Sequence, residues 1–73
     1  MDKGQLIKYY RCIVDCWRYF QKYSLPVDTE DFWKMVVDEG NELSRRYGDA
    51  DFVCGIVGVI QQEIEGLCKR RCL

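Results

Sequence analysis

The sequence predicts an all-α protein, a compact three-helix up-down-up bundle with helices over about 2–23, 29–47 and 51–70 in one helical domain, 1–73. Three observations carry this. Apolar residues recur at helical spacing along three stretches. Two short breaks divide them, one around the chain's single proline and one beginning at Gly48. The most strand-like run, FVCGIVGVI, has no second strand candidate to pair with, so it reads as helix. A composition of 48% hydrophobic and 32% charged residues is that of a globular chain. With 73 residues the core is small, so stability is marginal unless a disulfide, a metal or a partner subunit adds to it.

In the first stretch Leu6, Tyr10, Ile13, Trp17 and Phe20 share one face, expected to be the core face. Lys8, Arg11, Asp15, Arg18 and Lys22 lie opposite. Ile7, Tyr9, Val14, Cys16 and Tyr23 widen the apolar arc to about 200°. One flat neighbour needs less, so this helix is expected to touch two helices, or one helix and a partner.

Ser24-Leu25-Pro26-Val27 ends it, because proline disfavours helix before itself and has no N–H to donate. Asp28 then reads as an N-cap, with Glu30 and Asp31 near the positive end of the helix dipole. Val27 and Phe32 have the spacing of a hydrophobic staple. Along the second stretch Phe32, Trp33, Val36, Leu43 and Tyr47 share a face, and Gly40 sits in its middle. A glycine there costs about 1 kcal/mol against alanine, so it is expected to permit a close helix approach. Gly48 fits the left-handed position after the helix.

Either Asp49 or Asp51 is a cap for the third stretch, whose core row is Val53, Ile56, Val57, Ile60, Ile64 and Leu67. Gly55, Gly58 and Gly66 lie along a neighbouring side, suited to close contact within the bundle or between subunits.

Little catalytic chemistry is available. There is no histidine, hence no Ser–His or Cys–His nucleophile pair. The glycines lack a phosphate-loop pattern, and Asp49-x-Asp51 fails as a calcium loop at Val53, Cys54 and Ile60. Eleven basic against twelve acidic residues give a net charge of −1, which argues against nucleic acid. The basic clusters, Arg45-Arg46 and Lys69-Arg70-Arg71, stand at helix ends, where they complement the dipole. The longest apolar run has nine residues against about 20 for a membrane span, and MDKGQLIKYYRC has no signal-peptide pattern. The expectation is a cytoplasmic protein with no membrane contact and no cofactor.

Five cysteines remain. CIVDC and CKRRC share the C-x-x-x-C spacing, and Cys12, Cys16, Cys68 and Cys72 would make a zinc site on paper. In an up-down-up bundle the two pairs stand about ten residues apart along the axis, roughly 15 Å, beyond the reach of a shared metal or a disulfide. The thiols are therefore expected to act as small apolar side chains.

The succession YYRCIVDCWRYFQKYS, DFWKMVVDEGNELSRRYG and a hydrophobic run ending IQQEIEGL resembles small uncharacterised helical proteins carried on phages and conjugative elements of gut bacteria. The resemblance covers most of the chain. It implies no activity and transfers no site residue, and the cysteines are not part of the pattern.

The expected function is that of a non-enzymatic helical interaction module, acting by protein–protein contact and self-associating. Tyr9, Cys12, Cys16, Tyr19 and Tyr23 are its candidate surface, tyrosine being favoured at interfaces. Gly40, Gly55, Gly58 and Gly66 are its candidate close contacts. Alternatively, the same helix 1 residues complete the intramolecular core. Two other function classes are a small nucleic-acid-binding regulator, which lacks a basic recognition helix here, and a thiol-dependent metal or redox protein.

Overall fold

The structure, a computed structural model, describes residues 1–27 and 29–72, the side chains of Arg71 and Cys72 excepted. It contains three helices, α1 (Lys3–Lys22), α2 (Glu30–Arg46) and α3 (Asp51–Cys72). They pack as an all-α bundle 47 Å long and 18 by 17 Å across.

Local chemistry sets the ends. Asp2 caps α1: its carboxylate accepts from Gln5 N at 2.8 Å, and the Gln5 side chain accepts from Asp2 N, a complete capping box. The cap expected at Asp28 is supplied by Thr29, whose hydroxyl accepts from Phe32 N at 3.1 Å. Asp28 itself lies outside the described residues. Val27 remains exposed, so the expected staple does not bury it. At the end of α2, Gly48 takes φ +71°. Gly48 N donates to Arg45 O and Asp49 N to Ser44 O, the two bonds of a Schellman motif. Asp51 is the first residue of α3, where its charge meets the dipole; Ala50 precedes it, so neither aspartate stands at the cap position.

Side-chain pairs fix the directions. Tyr23 meets Phe32, Lys22 pairs with Glu39, Tyr19 reaches Val36, and Asp15 accepts from Tyr47, so α2 runs back along α1. Tyr9 packs edge-on against Phe52 with centroids 4.8 Å apart, and Trp17 lies near Ile60, so α1 and α3 are parallel. The core takes Cys12, Cys16, Tyr19 and Tyr23 from α1, Val36 and Leu43 from α2, and Val53, Val57, Ile60 and Ile64 from α3.

This reverses the expected orientation of α1. Leu6, Tyr10, Ile13 and Trp17, expected inside, are 51–69% exposed. The cause is polar partnering. Asp15 reaches Arg46 at 3.6 Å, and Lys22 reaches Glu39 at 2.7 Å. The Tyr19 hydroxyl donates to Val36 O at 2.7 Å. All three bonds need the Cys12–Tyr23 side of α1 turned toward α2.

Candidate interaction face of the first helix

The residues proposed as a surface from the sequence lie mainly in the interior. Cys12, Cys16, Tyr19 and Tyr23 are buried, and Tyr9 alone keeps a partly exposed ring, against Phe52. They complete the intramolecular core. The physical reason is that cysteine is small enough to let helices approach, while Tyr19 brings a hydroxyl that finds an acceptor. Gln61 Nε2 donates to the same hydroxyl at 3.3 Å, so Tyr19 links all three helices. Among the described residues no buried side-chain nitrogen or oxygen lacks a partner.

The glycines divide. A Cβ at Gly40 would stand 2.6 Å from Gln61 Nε2, 2.9 Å from the Tyr19 hydroxyl and 3.0 Å from Val57 Cγ1, so Gly40 makes the close approach predicted for it. Among the described residues a Cβ at Gly55 or Gly58 would meet nothing within 4 Å, and one at Gly66 would meet the Arg70 guanidinium at 3.8 Å. Among the described residues those three make no tight contact, because the core row of α3 lies on another side of the helix.

Cys12, Cys16 and Cys54 carry free thiols, the first two buried and the third exposed. Cys68 is buried on α3. The Cys72 side chain lies outside the described residues. Burial pushes the Cys12 thiol up, and burial with the neighbouring Cys12 pushes Cys16 up to about 12. Thiols so held are poor nucleophiles and poor ligands at neutral pH. Among the described residues no three cysteine, aspartate or glutamate side chains converge as metal ligands.

The cleft between α1 and α2 mixes signs, with Asp15, Arg18 and Lys22 facing Glu39, Glu42 and Arg46. Such a surface does not form the uniform positive field that phosphates require. Among the described residues no helix is long and apolar enough to cross a membrane.

What the fold leaves open is the outer face of α1. Leu6, Ile7, Tyr10, Ile13 and Trp17 are each at least half exposed. In heptad terms Tyr10 and Trp17 occupy a, Leu6, Ile13 and Phe20 occupy d, and Ile7 and Val14 occupy e. That a/d/e stripe is the one a helix shows to a bundle core. Beside it runs a shallow groove of about 290 Å³ between α1 and α3, lined by Ile13, Cys16, Trp17, Phe20, Ile56 and Ile60. Phe52 of α3, also exposed, packs edge-on against Tyr9 of α1. The row is legible as apolar in the sequence, where the size of its side chains points to the interior and not to an outer face. No protein-family model matches the chain, and neither a curated protein nor a solved structure matches it significantly.

Proposed function

We propose that the chain is a non-enzymatic helical interaction module of the cytoplasm, and that it acts by protein–protein contact through the outer face of α1. One observation carries this reading: five large apolar side chains, Leu6, Ile7, Tyr10, Ile13 and Trp17, stand together in solvent on one helix. Scattered exposed apolar residues are ordinary, but a contiguous row flanked by charge is the pattern of a docking surface. Trp17 and Tyr10 are also the side-chain types that dominate binding energy at interface centres.

The test is the double variant Ile13→Lys, Trp17→Lys. Both side chains lie outside the buried core, so circular dichroism should show unchanged helix content. Association should be lost, both with copies of the chain by sedimentation and with host proteins by affinity capture. Association as strong as that of the unaltered chain would sink the proposal, as would an unaltered chain that associates with nothing.

A further inference from the structure

The reading of α1 as a docking face leaves its occupant open, and resting on that reading we infer that the occupant is a second copy of this chain, with the two α1 helices antiparallel. The first argument is the row itself. Leu6, Tyr10, Ile13 and Trp17 step by 4, 3 and 4 residues, so the row reads alike in both directions about a centre between Arg11 and Cys12. An antiparallel copy placed on that centre sets Leu6 against the copy's Trp17 and Tyr10 against the copy's Ile13. Every layer then holds one aromatic and one aliphatic side chain, and the layers have similar volume. A parallel copy would stack tryptophan on tryptophan and leucine on leucine, giving alternately crowded and loose layers.

The flanks agree. Ile7 lies beside the copy's Val14, so the e positions also meet as apolar residues. Phe20 meets the stem of the copy's Lys3, an arrangement that leaves the ammonium in water or over the ring. Lys8, Arg11, Arg18 and Lys22 lie on the other side of α1 and are not brought face to face. On the remaining flank Phe52 of α3, partly exposed against Tyr9, adds apolar surface.

Area is the second argument. The chain exposes 5543 Å², whereas a folded monomer of 8.7 kDa is expected to expose roughly 4,700 Å². Part of that excess belongs to the elongated shape, 47 Å by 18 by 17 Å, and part to the row on α1, whose side chains are each at least half exposed; a standard interface takes roughly 800 Å² from each partner.

The experiment combines mass and cross-linking. The chain at tens of micromolar should sediment as a dimer. In a Cys54→Ser, Cys72→Ser background, chains with Leu6→Cys and chains with Trp17→Cys are mixed and oxidised with copper phenanthroline. Disulfide-linked dimers should form between the two variants and be nearly absent when either is oxidised alone. Circular dichroism and sedimentation on each variant establish that it folds and pairs before oxidation. Links from 6 to 6 and from 17 to 17 would overturn the antiparallel pairing, because those positions are about 16 Å apart along the axis when the helices oppose. A monomeric unaltered chain would overturn the second copy as occupant. The outer face would then belong to a different protein, an outcome the Ile13→Lys, Trp17→Lys comparison detects separately.

Discussion

Gly40 is where side chains of α1 and α3 close on the backbone of α2, and its missing side chain leaves room for the Tyr19 hydroxyl that donates to Val36 O. Gly40→Ala sets two effects against each other. Helix propensity favours alanine by about 1 kcal/mol. Overpacking costs about 1–3 kcal/mol, and displacing the Tyr19 hydrogen bond costs about 1 kcal/mol more. Gln61 is flexible enough to swing away, but Tyr19 is buried and held, so the packing cost wins. Urea unfolding should show Gly40→Ala losing about 1–3 kcal/mol, while Gly58→Ala, facing open space, gains up to about 1 kcal/mol. Equal stabilisation by both substitutions would refute the close contact. The titratable groups give a second residue-level expectation. Burial, with Asp15 as acceptor, pushes Tyr47 up to about 12 from 10.0, and burial pushes Cys16 up to about 12 from 9.0. Both groups keep their protons longer in the folded chain than in the unfolded one. Their stabilisation is therefore complete below the unfolded values and is lost as pH rises toward 12. Urea midpoints should be level near neutrality and fall above about pH 9–10, with Tyr47→Phe flattening the upper part of that fall. A midpoint unchanged at about pH 11 would contradict the assignment.

At the scale of elements, the sequence carries where helices begin and end far better than how each is rotated. Pro26, Gly48 and the Asp2–Gln5 pair act within a few residues of themselves, so the boundaries of α1, α2 and α3 fall within a residue or two of those expected. Thr29 in place of Asp28 is an error of this local kind, between adjacent residues that both have capping side chains. The rotation of α1 is different. Leu6, Tyr10, Ile13 and Trp17 step by 4, 3 and 4 residues, and so do Cys12, Cys16, Tyr19 and Tyr23. Periodicity cannot choose between two rows with the same period, and hydrophobicity favours the larger side chains of the first. The choice is made by partners distant in sequence: Arg46 for Asp15, Glu39 for Lys22, and Val36 O for Tyr19. Each exposed ion pair is worth little alone, about 0–1 kcal/mol, but all favour one rotation. A signal was present in the sequence: the charges flanking the cysteine row on α1 are complementary to those of α2. That complementarity points to the Leu6–Trp17 row as the outer one, and so to the candidate face.

At the scale of the whole molecule, a chain of 73 residues has turned one of its widest apolar faces outward. A small core supplies only a few kcal/mol, so a partner that covers that face contributes a large share of the total. If the partner is a second copy, folding and assembly are linked, and the midpoint of thermal unfolding must depend on concentration. For a dimer of chains this size, a tenfold rise in concentration should raise the midpoint by about 3–5 °C. Trp17→Lys should remove the dependence without altering the core, because Trp17 is 57% exposed and is not itself a member of the buried cluster. The two chains should then converge at high dilution, where the unaltered protein is monomeric, and diverge as concentration increases. A midpoint that stays level over a hundredfold range in the unaltered chain would mean that no second copy stabilises it. A variant that is less stable even at high dilution would mean that Trp17 serves the fold itself. Convergence at dilution together with divergence at high concentration is expected only if the outer face of α1 is left exposed by the fold and covered by assembly.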